Sequence, residues 1–259
     1  MPLAVCATPI GNLDDVTLRV LSELREADVV LCEDTRRTRI LLDRHRIEAP
    51  LISYHRHSEA SRAAEVLDRL RRGERIALVS DAGLPGVNDP GTRLIRAAAA
   101  AGFDVTVLPG ASSVETALVA SGLARDRYQF VGYLPRRAGE LGEFAHMLAR
   151  WPGAVVAFES PRRLPTSLAV LAEEMPERSA AVCRELTKRF EEVVRGTLRE
   201  LAARFAAPPR PANPLERPAA ERRVRPVRAN IRQSGEGADR AHARRPGPPC
   251  KGSGASNRS

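Results

Sequence analysis

Short apolar runs alternate with helix-like segments through the first 120 residues, and each run empties into a loop rich in Gly, Pro, Asp or Glu. That alternation constrains the fold more than any other feature. Neighbouring strands separated by a helix's worth of chain run parallel, and parallel strands form an α/β sheet. The strand-like runs are residues 3–8 (LAVCAT), 28–33, 51–55, 75–83 and 104–110. Between them the spacing predicts a helix from Asp14 with Leu18, Leu21 and Leu24 on one face, and a basic helix over 35–46. An amphipathic helix follows over 58–72, with Ala63, Val66, Leu67 and Leu70 inward, then an Ala-rich helix over 92–101.

After Gly122 the rhythm changes. Residues 128–135, 153–160, 180–186 and 190–197 read as strands, with helices at 139–150 and 162–174. The last two strands are close enough for a hairpin. The expected organisation is an α/β parallel-sheet domain over 1–120 and a mixed-sheet domain over 121–207. A tail follows over 208–259. It holds nine of the 20 prolines and no Phe, Trp or Tyr. Such a composition buries too little apolar surface to offset its ordering entropy, so the tail is expected to be disordered.

The formal charge of +9 suggests nucleic acid, but its distribution matters more. The tail carries twelve Lys and Arg against four Asp and Glu, a net +8, which leaves the first 207 residues at +1. The body must therefore be judged by its motifs. No apolar run approaches the roughly 18 residues of a membrane span, and the N-terminus lacks the pattern of a secretory signal. The expected location is cytoplasmic. Cys6, Cys32, Cys183 and Cys250 lack metal-ligand spacing. No metal is expected, and the first three thiols are expected buried and reduced.

In an open parallel sheet, ligands bind beyond the carboxyl ends of the strands. Four such ends stand out. ATPIGNL (7–13) offers Gly11 for close backbone approach, or is only a turn before a helix. CEDTRRTR (32–39) places Glu33 and Asp34 where they suit either a helix N-terminus or hydroxyl binding. VSDAGLPGVNDPG (79–91) packs Asp81 and Asp89 among glycines and prolines, more constraint than a connector needs. PGASSVETA (109–117) is either a ligand loop or a capping box from Ser112 to Glu115.

In chain order TPIGNL (8–13), EDTR (33–36), YHRHSE (54–59), SDAGLPGVNDPG (80–91), PGASS (109–113), GYLPRR (132–137), FESPRRL (158–164) and RELTKRFEE (184–192) resemble the successive motifs of the ribosomal RNA small-subunit methyltransferase I family, within the tetrapyrrole methylase superfamily. The resemblance spans about residues 3–207. It implies a bilobal α/β fold with S-adenosyl-L-methionine in the cleft between the lobes. By motif, Pro9, Gly11, Asp81, Ala82, Gly83, Leu84, Pro85, Asp89, Ala111 and Ser112 would line the cofactor. It also implies a homodimer that methylates a cytidine ribose 2′-hydroxyl of 16S ribosomal RNA in the small subunit.

That chemistry needs in-line alignment and an acceptor for the hydroxyl proton. Asp34, His55, Asp89, Glu159 and Glu185 are the candidate bases, His57 is a further proton-exchanging residue, and Lys188 could lower the hydroxyl pKa or hold a phosphate. Arg36, Arg37, Arg39, Arg136, Arg137, Arg162 and Arg163 are candidate phosphate contacts. Competing functions are a corrinoid or tetrapyrrole methyltransferase, and a non-catalytic RNA binder acting through the tail.

The resemblance stops near residue 207. Family members continue there into an apolar strand that completes the second sheet, whereas this chain runs into Pro209-Arg210-Pro211 and an Arg/Pro-rich stretch. The abrupt switch is what a frameshift near 209–212 in GC-rich DNA would produce. The expected consequence is a second lobe with unpaired strand backbone and an uncovered apolar face.

Overall fold

The computed structural model describes residues 3–55 and 59–206; His57 and the tail over 208–259 lie outside the described residues. β1 (Leu3–Cys6), β2 (Val29–Cys32), β3 (Leu51–Ser53), β4 (Ile76–Val79) and β5 (Val105–Leu108) form a five-stranded sheet in the order β3-β2-β4-β1-β5. Every pairing in it is parallel. All residues of β1, β2 and β4 are buried. A strand covered on both faces has no polar side, which is why these three read as unbroken apolar runs.

Successive residues of these strands feed opposite faces. Ala4, Cys6, Val30, Cys32, Ala77 and Val79 pack with Val20, Leu21 and Leu24 of α1 (Leu18–Glu26) and Leu42 of α2 (Thr35–Arg44). Leu3, Val5, Val29, Leu31, Ile76 and Leu78 pack with Val66 and Leu70 of α3 (Glu59–Arg71) and Leu94 and Ala98 of α4 (Thr92–Ala100). Each fully buried large aliphatic contributes about 1.5–3 kcal/mol. Burial pushes the Cys6 thiol up to about 12 and raises that of Cys32. Cys183 is half-buried, and all three thiols are free.

The start of α1 differs from expectation. Residues 13–15 form a separate 3-10 turn capped by Asn12, and α1 begins only at Leu18, where the Thr17 side chain accepts from the Val20 amide (3.2 Å). Leu18 then lies at the first helical position and faces solvent, 84% exposed. The buried face is Val20, Leu21 and Leu24 instead. The i, i+3 spacing counted one turn too early because the Thr17 cap was overlooked.

α5 (Ser113–Ser121) ends at Gly122, which takes the left-handed conformation (φ 71°) that glycine tolerates. Beyond it lie β6 (Tyr128–Tyr133), α6 (Ala138–Ala149), β7 (Ala154–Phe158), α7 (Leu164–Glu174), β8 (Ser179–Arg184), β9 (Glu192–Thr197) and α8 (Leu198–Ala206). The mixed-sheet region, expected to be incomplete, consists of two separate pairs among the described residues. β6 pairs with β7 in parallel, and β8 pairs with β9 antiparallel as the anticipated hairpin. Among the described residues no strand joins the pairs. Leu168, Val182, Val194, Leu198 and Leu201 form the small core of this lobe.

Arg178 ties the lobe together by donating to the carbonyls of Leu148 (2.6 Å), Trp151 (3.1 Å) and Gly153 (2.9 Å). Arg195 of β9 donates to the carbonyls of Ser121 (2.9 Å) and Ala120 at the end of α5. Among the described residues no helix is long and apolar enough to cross a membrane, and no group of three or more His, Cys, Asp or Glu is placed to hold a metal ion.

Candidate active site at the carboxyl edge of the sheet

Because all five strands run the same way, the loops that follow them emerge at one edge. Hydrogen bonds lock these loops to each other. Thr8 and Gly83 exchange backbone bonds in both directions (2.8 and 3.0 Å), and the Thr8 hydroxyl donates to the Ser80 carbonyl (3.0 Å). Gly83 sits at φ 82°, and a Cβ on Gly110 would stand 2.8 Å from the Ala7 Cβ. Glycine is therefore required at 110 for approach and at 83 for backbone conformation.

Asp81 accepts from the Asp34 amide (3.1 Å) and from Arg37 (3.3 Å), joining the loops after β2 and β4. Asp34 caps α2 by accepting from the Arg36 amide (2.9 Å) and pairs with the Arg36 guanidinium (2.9 Å). The Arg36 hydrogen bonds hold its carboxyl down at about 2. Such a group is a stable anion and a poor proton acceptor.

The loop after β3 acts through Glu59, which is buried. Its Oε1 accepts from the amides of Gly91 (3.0 Å) and Arg93 (3.2 Å) at the start of α4. Tyr54 is buried and donates its hydroxyl to the Glu59 carbonyl (3.3 Å). Burial raises the Tyr54 phenol well above its ordinary value, so it stays neutral. YHRHSE thus holds the far end of the 80–91 loop through Tyr54 and Glu59. Glu59 was not among the sequence candidates. Its signal was an acid adjoining a helix with no partner of its own in sequence, which only the fold supplies.

The second lobe reaches this edge at two places. The loop between β8 and β9 lies over the first loop, where the Asn12 amide donates to the Thr187 hydroxyl (2.9 Å). A Cβ on Gly11 would come within 2.7 Å of the Leu186 carbonyl and the Thr187 hydroxyl, and 2.6 Å of the Lys188 side chain. Glu185 (φ 51°) and Thr187 (φ 63°) both hold left-handed backbone that non-glycine residues seldom adopt. Strain of this kind, paired within one loop, gathers at functional sites. Lys188 pairs with Glu185 at 3.3 Å. At the second place, a Cβ on Gly132 would stand 3.3 Å from the Asn88 side chain, so β6 abuts the 80–91 loop.

The candidate cofactor residues are distributed accordingly. Pro9, Gly83 and Pro85 are buried in the loop junction, Gly11, Asp81, Leu84, Asp89, Ala111 and Ser112 are half-buried, and Ala82 is exposed. The expected capping box is not formed: Ser112 precedes α5 without accepting a backbone amide, and its hydroxyl donates to the Glu115 carboxylate, which also accepts from Tyr128 (2.7 Å). Thr187, which joins the lobes by accepting from the Asn12 amide, was missed because the two residues lie 175 apart. His55 is exposed at the end of the loop that follows β3.

Several expected roles change. Glu159 is not an available base. Its carboxylate accepts from the Ser160 amide (2.6 Å) and the Ser167 hydroxyl (2.6 Å), and its side chain is only 6% exposed. Arg163 is not an open phosphate contact, because it donates to the Leu134 (3.3 Å) and Pro135 carbonyls and pairs with Glu159 (3.2 Å). Of the other arginines, Arg36, Arg37 and Arg137 are exposed but engaged with Asp34, Asp81 and Glu140. Arg39 reaches the Ala49 carbonyl at 3.5 Å. Arg136 and Arg162 are exposed at the turns that leave β6 and β7.

Residues 2–202 match the family model of tetrapyrrole (corrin/porphyrin) methylases. A protein of Mesorhizobium japonicum named ribosomal RNA small subunit methyltransferase I is 47% identical over 206 residues, covering 79% of this chain and 70% of that one. A Thermotoga maritima protein of the same name is 38% identical over 203 residues, covering 78% and 91%. Among solved structures, uroporphyrin-III C-methyltransferase of Thermus thermophilus, complexed with S-adenosyl homocysteine, aligns with a TM-score of 0.56 at 21% identity over 82% of this chain and 94% of that one. Cobalt precorrin-4 methyltransferase aligns with a TM-score of 0.59 at 20% identity over 78% and 88%. At these identities the two structures speak for the fold alone. The converging strand-end loops, the family match across both lobes and the close relatives together establish that the chain belongs to the tetrapyrrole methylase family, among the methyltransferases most similar to ribosomal RNA small subunit methyltransferase I.

Proposed function

We propose that this protein transfers a methyl group from S-adenosyl-L-methionine to the 2′-hydroxyl of a cytidine ribose in 16S ribosomal RNA, acting in the cytoplasm as a homodimer. The observation that carries the reading is the junction of both lobes over the first loop, Thr187 and Lys188 against Gly11 and Asn12. It sits beside the locked loops that carry Asp81 and Gly83.

The residues present suit such a cofactor. Gly11, Gly83 and Gly110 allow backbone to approach closely, and the carboxylates of Asp81 and Asp89 can accept from hydroxyl and ammonium groups. Pro9, Ala82, Leu84, Pro85, Ala111 and Ser112 complete the set. When bound, the cofactor supplies a methyl group activated by its positive sulfonium. The work of the chain is alignment, which can account for much of the acceleration. Rigid loops serve this better than mobile ones, and the Thr8–Gly83 and Asp34–Asp81 bonds provide that rigidity.

The hydroxyl proton must leave as the new oxygen–carbon bond forms. Glu185 is the acceptor this geometry favours, held by Lys188 in a strained loop over Gly11; His55 and Asp89 are the alternatives. Asp34 is assigned to shaping the loop, since both its carboxylate oxygens are engaged by the Arg36 amide and guanidinium. Arg136 and Arg162, with Arg36, Arg37, Arg39 and Arg137, offer positive charge to the RNA backbone.

The test is transfer of labelled methyl from S-adenosyl-L-methionine to small ribosomal subunits lacking the modification, with the site mapped by resistance to alkaline cleavage. Label at one ribose supports the proposal. Label on a tetrapyrrole acceptor and none on RNA would overturn it.

A further inference from the structure

The turn between β8 and β9, residues 185–191, presents the most exposed aromatic ring among the described residues. Phe190 is 70% exposed, against 62% for Tyr133 and 41% for Tyr128. Those two tyrosines are engaged: Tyr133 meets Phe158 edge to face at 5.5 Å, and Tyr128 donates to Glu115 (2.7 Å). Phe190 has the Arg189 guanidinium over its ring, 5.5 Å from the ring centre.

A single exposed apolar side chain is ordinary on a protein surface. What sets Phe190 apart is the rigidity of its support. The Lys188 amide donates to the Glu185 carbonyl (2.9 Å), the Glu191 amide to the Lys188 carbonyl (3.1 Å) and the Thr187 amide to the Glu191 carboxylate (2.6 Å). The Asn12 amide donates to the Thr187 hydroxyl (2.9 Å), which pins the turn on the first loop. Charge singles out the same place. Glu185 pairs with Lys188 (3.3 Å), and Glu192 pairs with Arg184 and with Arg204 (3.3 Å). Among the described residues no carboxylate pairs with Arg189, so its charge is left for a ligand. A groove of about 420 Å³ beside the turn, lined by Asn12, Asp14, Arg44, Thr187, Lys188 and Arg189, has the size of a small-ligand site.

A fixed aromatic face next to an unpaired cation suits single-stranded nucleic acid: the ring stacks on a base and the cation takes a phosphate. We propose that Phe190 is the stacking platform for one unpaired base of the RNA, with Arg189 on the adjoining phosphate. The inference rests on the RNA methyltransferase reading above and puts this contact on the same turn as Glu185. Every base has a π face, so Phe190 holds and orients the strand without choosing its sequence.

Two measurements test it. The first is methyl transfer to small ribosomal subunits lacking the modification, at varied subunit concentration. Stacking that is kept from bound state to transition state moves KM and leaves kcat. We expect Phe190→Ala and Phe190→Leu to raise KM about tenfold with kcat within about twofold, and Phe190→Trp to keep both within about twofold of the parent. Leucine keeps the apolar bulk without a π face, so a parent-like KM in Phe190→Leu would overturn the inference. The second measurement is the emission of the Phe190→Trp variant, whose other tryptophan is Trp151 alone. It is titrated with a single-stranded cytidine oligonucleotide and with an abasic twin that keeps the sugars and phosphates. Quenching by the first and not by the twin is expected, with neither quenching the parent.

An unchanged KM in Phe190→Ala beside an active parent overturns the inference and leaves the RNA reading standing. A parent silent on subunits counts against that reading instead, and the emission alone then decides the stacking. Equal quenching by both oligonucleotides, or by neither, overturns the inference. So does emission that shifts with protein concentration before RNA is added, which would assign Phe190 to contact with a second copy of the chain.

Discussion

The two lobes are built from similar elements but differ in how completely their strands are covered. In the first, β1, β2 and β4 are buried at every residue and sandwiched between α1 and α2 on one face and α3 and α4 on the other. In the second, every residue of β7 is only half-buried, and the strands form two separate pairs, with β7 and β8 both lining a cavity. The first lobe is a finished platform that can hold strained, glycine-rich loops in place. The second depends on that platform, docking through Arg195 on α5 and through Thr187 on the first loop.

The sharpest way to break this comparison is matched truncation. Leu31→Ala removes a fully buried side chain from β2 and should cost about 2–5 kcal/mol. Val156→Ala in half-buried β7 should cost only about 0.5–1 kcal/mol. Urea unfolding of both variants checks this, and equal costs would mean that β7 is as well packed as β2.

Next in size is the contact between the lobes. Gly11→Ala forces a Cβ against the Leu186 carbonyl and Thr187. Displacing the β8–β9 loop by about 1 Å should lower methyl transfer on the order of 100-fold while the circular dichroism spectrum is kept. Activity within about twofold of the parent would show that this loop does not position anything.

Glu59→Ala tests the platform from inside. It strips the Gly91 and Arg93 amides of their acceptor, for an expected loss of about 1–3 kcal/mol in urea unfolding. Glu59→Gln keeps an acceptor oxygen and should lose less. Matching losses would mean that the amides find other partners.

The smallest effect expected is electrostatic. Asp34 is depressed in the folded state, chiefly by Arg36, to about 2. A depressed carboxyl stabilises the fold above its unfolded value near 3.9, and the stabilisation fades as pH falls through the folded value. Asp34→Asn keeps a capping oxygen, so its deficit in urea midpoint should be small at pH 7 and vanish between about pH 4 and pH 2. A deficit unchanged across that window would place the role of Asp34 in shape rather than charge.

Much of this architecture was legible beforehand. The apolar runs at 3–8, 28–33 and 75–83 named the three central strands, because burial on both faces leaves a continuous apolar signature. The 80–91 loop stood out because two acids, three glycines and two prolines exceed what a turn needs. The start of α1 was misplaced because the Thr17 cap is a local event that periodicity does not register. Glu159 and Arg163 looked like chemistry in FESPRRL, yet they are consumed by each other and by Ser167, Leu134 and Pro135.

By itself, then, the sequence determined the α/β alternation, the direction of the first sheet and the family, since these rest on local pattern and ordered motifs. Only the tertiary structure decided which charged groups are engaged, that Glu59 holds α4, that Thr187 meets Asn12 and that β7 and β8 belong to separate strand pairs. The reason is physical: hydrogen-bond partners and empty space are set by residues far apart in the chain, and spacing along the chain carries no record of them.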